Sequence, residues 1–304
     1  MTRSGRVPPE RYQVEGYRPR DGSAYAAEVP HQTLIPADFR RESEPFGMPG
    51  ATAQFETWVS VFRPSPDSTV RLVCLPHAGG SASFFFPVAT ALAPEVEVLA
   101  VQYPGRQTRR HEAGIDNITD YADQIFAALS HLDDRPLALF GHSMGAVLAY
   151  EVALRMREAG LPAPVRLFAS GRRAPSRYRD EHLHAATDEE VLAELRALSG
   201  PNQAILADPE VLAMFLPAIR SDYTAIESYR HDPARLLDCP VTVLTGDADP
   251  RTTLDEARAW EEHTTGPTDL RVFQGGHFFH VERSAEVLAL LAGSLTGQGA
   301  DTAR

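Results

Sequence analysis

The stretch that decides the fold is Gly141-His-Ser-Met-Gly145. A short apolar run, residues 136–140, comes just before it, and a helix-like run, residues 146–155, follows. A strand, Gly-x-Ser-x-Gly and a helix in this order are typical of the sharp turn that presents a nucleophilic serine. The glycines let strand and helix approach closely, and the first N–H groups of the helix point towards a developing oxyanion. The stretch therefore predicts that Ser143 is a catalytic nucleophile.

Composition favours one large domain and argues against several classes of protein. The chain has 304 residues, 43% of them hydrophobic, which is enough for a sizeable core. A formal net charge of −12 argues against nucleic acid as a partner. The two cysteines, Cys74 and Cys239, lie in apolar runs and are expected to be buried free thiols. No apolar run approaches the roughly 20 residues of a membrane span, and no signal peptide is apparent, so we expect a soluble, cytoplasmic protein.

Strand-like and helix-like segments alternate on both sides of the serine motif. The predicted strands after the N-terminal region are residues 70–75, 96–101, 136–140, 164–170, 240–245 and 270–273. The predicted helices between and after them are residues 83–92, 117–132, 146–155, 254–263 and 281–295. This alternation predicts an α/β fold with a mostly parallel central sheet and helices on both faces. We assign residues 55–173 and 236–296 to this core.

The two ends of the chain differ from the core. Residues 1–54 are rich in Pro, Gly, Arg and Glu and lack sustained periodicity, which predicts a disordered leader. Residues 55–62 alternate weakly between apolar and polar side chains and fit an edge strand. Residues 297–304 are expected to form a disordered tail.

The alternation stops between residues 174 and 235, where two helical patterns appear. Thr187 and Glu190 have the spacing of a capping box, and Asp208-Pro209 predicts the start of a second helix. Pro217 should kink or divide that helix. One apolar stripe follows the second helix: Leu212, Phe215, Leu216, Ile219, Tyr223 and Ile226. We interpret the segment as a helical lid, with candidates for lining the substrate site or the core beneath it at Phe215, Leu216, Ile219 and Tyr223.

A catalytic serine needs a base and an acid that orients the base. α/β-Hydrolases supply serine, acid and histidine in that order along the chain. Here Gly246-Asp-Ala-Asp-Pro250 and Gly275-Gly-His277 follow the last two predicted strands, so we expect an α/β-hydrolase fold with His277 as base. Position alone excludes neither Asp247 nor Asp249. Asp249 is favoured because it lies further beyond the strand end, whereas Asp247 is better placed to accept hydrogen bonds from the turn.

The loop after the first predicted core strand, His77-Ala-Gly-Gly80, offers small residues close to the site. We expect the backbone N–H groups of Ala78 and Met144 to form an oxyanion hole, with Gly79 as the alternative to Ala78. His77 and His142 flank these donors and are expected to hold the loops by hydrogen bonds. No cluster has metal-ligand spacing and no dinucleotide fingerprint occurs, so we expect neither metal nor cofactor.

Six short blocks, in the same order, resemble the stand-alone type II thioesterases of polyketide and nonribosomal peptide synthesis over about residues 70–290. The blocks are Leu75-Pro-His-Ala-Gly-Gly-Ser81, Tyr103-Pro-Gly-Arg106, Phe140-Gly-His-Ser-Met-Gly145, Gly171-Arg-Arg-Ala-Pro175, Gly246-Asp-Ala-Asp-Pro250 and Gly276-His-Phe-Phe279. The resemblance implies a triad of Ser143, Asp249 and His277 and an oxyanion pair of Ala78 and Met144. It also implies hydrolysis of acyl groups on the phosphopantetheine arm of acyl or peptidyl carrier proteins, which clears stalled or misprimed synthases. Residues 1–54 lie outside the resemblance.

Two arginine-rich loops lie near the predicted sheet edge. Arg106, Arg172 and Arg173 are candidates for contacting a phosphopantetheine phosphate or an acidic carrier protein.

Three other functions remain open. A small-molecule esterase or lipase would use the same triad and differs only in the family blocks. An acyltransferase of the malonyl-transferase type also uses Gly-His-Ser-x-Gly, but would need no acid late in the chain and would carry an arginine for the substrate carboxylate. The predicted pairing of Asp249 with His277 argues against it. A non-catalytic binding protein of this fold would not need the complete triad.

Overall fold

The computed structural model describes residues 49–198 and 209–297. Within these ranges the strands are β1 (Val59–Ser60), β2 (Val70–Leu75), β3 (Val96–Val101), β4 (Leu137–His142), β5 (Arg166–Ser170), β6 (Val241–Gly246) and β7 (Thr268–Phe273). They form one sheet in the order β1-β3-β2-β4-β5-β6-β7. Strand β1 pairs antiparallel with β3, and all the other pairs are parallel. The mostly parallel sheet predicted from the alternation is therefore confirmed.

Helices cover both faces of the sheet. They are α1 (Pro49–Trp58), α2 (Phe86–Leu92), α3 (Ile118–Leu129), α4 (Met144–Glu158), α5 (Asp188–Ala197), α6 (Pro209–Ser228), α7 (Leu254–Arg258), α8 (Phe279–Glu282) and α9 (Ser284–Leu295). Short 3-10 helices span Ala82–Phe85, Gln107–Arg109, Leu183–Ala185 and Ala259–His263. One hydrophobic cluster includes Tyr121 of α3 and Val147 of α4, and the other includes Leu92 of α2 and Leu291 of α9. Strands β3, β4 and β6 are buried throughout, as expected of parallel strands covered on both faces.

The edge strand expected at residues 55–62 is wrong for most of its length. Helix α1 continues to Trp58, and only Val59 and Ser60 pair with β3. The apolar residues of this segment recur at three- and four-residue intervals as well as alternating. Phe55 and Trp58 lie on one side of the helix, where their rings contact His131 and Tyr121. Burial against α3 therefore favours the helical period.

The predicted leader boundary is also displaced, because residues 49–54 belong to α1. The rest of the predicted leader, the predicted tail from residue 298 and the predicted cap Asp208 lie outside the described residues.

Helices α5 and α6 lie between β5 and β6, in the segment predicted as a helical insertion. The capping box at the start of α5 is present: Thr187 Oγ1 accepts from Glu190 N at 3.3 Å, and Glu190 Oε2 accepts from Thr187 N at 2.8 Å. Helix α6 is not divided at Pro217, which lies inside one continuous helix. Burial of the apolar face on both sides of the proline outweighs the one hydrogen bond that proline cannot donate.

No helix among the described residues has both the length and the apolar character needed to cross a membrane.

Candidate active site

Ser143 occupies the turn between β4 and α4. Its backbone angles, φ 56° and ψ −118°, are strained for a residue with a side chain. A Cβ atom on Gly141 would lie 2.0 Å from the Gly145 carbonyl oxygen, and one on Gly145 would lie 2.1 Å from the Leu75 carbonyl oxygen. Both positions therefore require glycine, because strand, turn and helix approach each other more closely than a side chain allows.

His277 and Asp249 form a buried pair beyond the ends of β7 and β6. Nδ1 of His277 lies 3.0 and 3.1 Å from the two carboxylate oxygens of Asp249, whose side chain is fully enclosed. Arg251 N also donates to Asp249, at 2.8 Å. Asp247 is exposed and accepts instead from Gly275 N at 2.9 Å. Of the two candidate aspartates, Asp249 is the one that contacts His277.

A cavity of about 320 Å³ brings Ser143 and His277 together beneath α5 and α6. Ala78 and Met144 also line it. Of the four residues predicted as lining candidates, three line the cavity: Phe215, Ile219 and Tyr223. Leu216 was expected among them, but it is buried in the hydrophobic core and does not line the cavity. The side chain of Leu212 lies outside the described residues.

Further lining residues were not singled out from the sequence as contacts. They include Phe84, Leu195, Leu198, Ile226 and Phe278. Ile226 belongs to the stripe on α6, so helical periodicity was a usable signal there. Phe84 lies in the short 3-10 helix Ala82–Phe85 and Phe278 directly before α8, and neither position has a periodic pattern that indicates which way the side chain faces.

The loop at residues 77–80 has two N–H groups with internal acceptors. Gly79 N donates to Asp222 Oδ2 at 2.7 Å, and Gly80 N donates to the His77 carbonyl oxygen at 2.9 Å. The N–H groups of Ala78 and Met144 have no acceptor among the described residues. Gly79, the alternative to Ala78, is therefore not available as an oxyanion donor.

Two of the three candidate arginines are paired with acids in the interior, which leaves their guanidinium groups poorly placed for the predicted contact with a phosphate or a carrier protein. Arg106 is 1% exposed and its Nη2 pairs with Asp222 at 2.8 Å. Arg173 is 4% exposed and pairs with Glu181 at 2.8 Å. Local sequence pattern does not identify the partner of Arg106, because the paired acid lies 116 positions away on α6.

Arg172 behaves differently from these two arginines. Its side chain lines the cavity and has no hydrogen bond or ion pair with any described residue. Burial and the neighbouring charge of Arg173 lower the pKa of Arg172 to about 9. An unpaired, partly desolvated guanidinium is well suited to an anionic or strongly polar ligand.

Three further histidines lie beside His277. The ring of His142 lies 4.0 Å from that of His280 and 4.9 Å from that of His277, and His77 lies 6.0 Å from His142. Nδ1 of His142 contacts Ser170 Oγ at 3.1 Å, as expected of a loop-holding residue. Nδ1 of His77 is buried and has no hydrogen-bond partner among the residues that the structure describes. Burial lowers the pKa of His77 to about 3 and holds the pKa values of His142 and His280 well below the usual range.

Among the described residues no group of three or more His, Cys, Asp or Glu side chains is arranged to hold a metal ion.

A parallel sheet with a strained serine after β4, an acid after β6 and a histidine after β7 defines a protein of the α/β-hydrolase type. The model of the Thioesterase domain family matches residues 70–295. The chain therefore belongs to the thioesterase family, whose members hydrolyse thioesters.

Individual relatives agree with this membership. The probable cadicidin biosynthesis thioesterase of Streptomyces griseus is 51% identical over 222 residues, which cover 73% of this chain and 61% of that protein. Thioesterase PikA5 of Streptomyces venezuelae is 48% identical over 223 residues, which cover 73% of this chain and 79% of that protein.

Among solved structures, the type II thioesterase BorB from the borrelidin biosynthetic cluster is 50% identical, with a TM-score of 0.74. The match covers 79% of this chain and 98% of that one. The resemblance to type II thioesterases and the α/β-hydrolase fold predicted from the sequence are confirmed.

Proposed function

We propose that this chain is a serine thioesterase that releases acyl groups from the phosphopantetheine arm of acyl or peptidyl carrier proteins. In that role it clears stalled or misprimed polyketide or nonribosomal peptide synthases. The observation that carries the proposal is the cavity in which Ser143 and His277 face an apolar wall from α5 and α6. The biosynthetic origin of the relatives described above supports the choice of synthases.

The proposed chemistry begins with His277, which takes the proton of Ser143 as the serine oxygen attacks the thioester carbonyl. Asp249 accepts the Nδ1–H bond and stabilises the imidazolium that forms. The N–H groups of Ala78 and Met144 bind the oxyanion. His277 then protonates the departing thiolate, and water, activated by the same histidine, releases the acid from Ser143.

The helical insertion, residues 174–235, acts in this proposal as a lid over the acyl chain. Leu195 and Leu198, near the end of α5, and Phe215 and Ile219 of α6 give the cavity an apolar wall. Such a wall binds the hydrocarbon part of an acyl group and keeps bulk water away from the serine ester.

Arg172 is the arginine that we propose as a contact for the carrier-bound substrate. It opens onto the cavity, whereas Arg106 and Arg173 are paired in the interior. Its guanidinium would bind a polar or anionic group of the arm or of the carrier protein.

The proposed substrate can be tested with one acyl group presented in three ways. The acyl group is attached to a carrier protein, to a small thiol and to an alcohol, and kcat/KM is measured for each with wild type and Ser143→Ala. We expect the carrier-bound thioester to be best and the variant to be slower by roughly three or more orders of magnitude. A higher kcat/KM for the oxygen ester would instead identify an esterase.

A further inference from the structure

One carboxylate of α6 is buried on the face that otherwise carries apolar side chains. Asp222 follows Ile219 by three residues and precedes Ile226 by four, so it shares their side of the helix. Its side chain has no exposed surface. A charge in this position is costly unless several donors satisfy it, so its contacts should reveal why it is there.

Asp222 receives hydrogen bonds from three separate parts of the core. Arg106 Nη2 contacts its two oxygens at 2.8 and 2.9 Å, and Tyr121 Oη donates to Oδ1 at 2.7 Å. Gly79 N donates to Oδ2 at 2.7 Å. The two contacts with Arg106 hold the carboxylate in place, Tyr121 adds one further donor, and the carboxylate in turn holds the backbone of the loop at residues 77–80.

That loop is a tight turn. The His77 carbonyl accepts from Gly80 N at 2.9 Å, and Gly79, the third residue, has φ +74°. A positive φ at the third position is the requirement of a type II turn, in which the central peptide faces the opposite way from a type I turn. The N–H of Gly79 belongs to this central peptide, so its hydrogen bond to Asp222 stabilises the type II orientation.

The turn is also pressed against α6. A Cβ atom on Gly79 would lie 2.7 Å from Ile219 Cγ1, one helical turn before Asp222. Helix α6 therefore contacts the turn both through an apolar side chain and through a hydrogen bond to its backbone.

We propose that Asp222 is a positioning residue that fixes the oxyanion loop, so that the N–H of Ala78 is aimed at the reacting carbonyl. This inference rests on the proposed function. The α-carbon of Ala78 joins two peptide groups. The first carries the N–H that donates to the oxyanion, and the second is the central peptide of the turn, which Asp222 holds through the Gly79 N–H. Loss of the Gly79 hydrogen bond would release the turn and misdirect the donor.

Arg106 has a second part in this arrangement. A carboxylate just behind an oxyanion hole would oppose the negative charge that develops there. The guanidinium of Arg106 offsets that charge at 2.8 Å, so Asp222 can accept from Gly79 without raising the barrier.

The test compares Asp222→Leu, Asp222→Asn and Tyr121→Phe. Tyr121→Phe is the matched control, because it removes a hydrogen bond of the same 2.7 Å length to the same carboxylate but leaves the bond to Gly79. For each variant kcat and KM are measured on the acyl-thioester of a small thiol, with thermal unfolding and amide hydrogen exchange at Gly79.

We expect Asp222→Leu to lower kcat by about 10- to 100-fold, because the oxyanion donor is then misplaced. KM should change less than about threefold. Gly79 exchange should accelerate in parallel. Asp222→Asn keeps an acceptor and should recover most of the kcat. Tyr121→Phe should lower the melting temperature with kcat within about twofold of wild type, since the donor geometry is retained.

If Asp222→Leu does not fold, the double variant Arg106→Met/Asp222→Leu takes its place, because apolar replacement of a buried ion pair is often tolerated. Its kcat should fall in the same way. Wild-type kcat in either leucine variant, or an equal kcat loss in Tyr121→Phe, would overturn the inference. Activity in Ser143→Ala would instead contradict the proposed function.

Discussion

The floor and the roof of the cavity use buried charge differently. The floor is formed by the ends of β4, β6 and β7, where Asp249 and His277 are paired at 3.0 Å and His277 lines the cavity. The roof is formed by α5 and α6, where Asp222 is paired with Arg106 at 2.8 Å and neither residue lines the cavity. Two buried pairs therefore have different surroundings: the first includes His277 on the cavity wall, and the second accepts a hydrogen bond from the backbone of the neighbouring loop.

The largest expected effect separates two aspartates of the floor. Asp249→Asn keeps the shape of the site but removes the charge that stabilises the His277 imidazolium, so kcat should fall by about 10²–10⁴. Asp247→Asn is the matched control, because asparagine can still accept from Gly275 N, and kcat should change less than about threefold. Both are measured on one acyl-thioester with melting curves. A larger loss in Asp247→Asn would reverse the assignment.

The three buried histidines near His277 should also make the folded state less stable at acid pH. His77, His142 and His280 have lowered pKa values in the folded state, so the unfolded chain binds more protons below about pH 6.5. Above that pH these three histidines should not lower the free energy of unfolding. As the pH drops towards 5, the free energy of unfolding should fall by about 1.4 kcal/mol per pH unit for each histidine.

Denaturant unfolding at several pH values measures this slope. His280→Leu removes one of the three imidazoles, and its slope between pH 6.5 and 5 should be smaller by about one proton. A slope equal to that of wild type would show that His280 does not titrate in this way.

The smallest expected effect distinguishes two neighbours in the roof. Phe215 lines the cavity, so Phe215→Ala should shift the preferred acyl chain to greater length, by about tenfold in relative kcat/KM. Leu216 faces the core, so Leu216→Ala should cost about 2–5 kcal/mol of stability without changing the chain-length profile. An unchanged profile in Phe215→Ala would mean that this side chain does not contact the acyl group.

The floor could be predicted from the sequence better than the roof, for a physical reason. Ser143 and its flanking glycines act within one turn, and the Asp249 and His277 loops follow strands whose ends must meet at one edge of a parallel sheet. Their proximity therefore follows from the topology. The helical period also placed Phe215 and Ile219 on the cavity wall, but it could not show that Leu216 faces the core instead of the cavity.

The pairing of two residues that lie far apart in the sequence could not be predicted from local sequence patterns. Arg106 was predicted to contact a phosphate or a carrier protein because it lies in an arginine-rich loop near the predicted sheet edge. Its partner Asp222 interrupts the apolar stripe of α6, and this single polar residue on a buried face was the available signal. At residues 55–62 the sequence supported both a strand and a helical period, and contact with α3 decided between them.

The central claim, that Ser143 is the nucleophile of this thioesterase, is tested most directly by covalent labelling. The protein is titrated with a serine-directed fluorophosphonate while acyl-thioester hydrolysis is followed, and the labelled peptide is identified by mass spectrometry. We expect one label per chain on Ser143, loss of activity in proportion to the label, and no label at this position in a folded Ser143→Ala variant. Full activity in the labelled protein, or a label on another serine that abolishes activity, would contradict the claim.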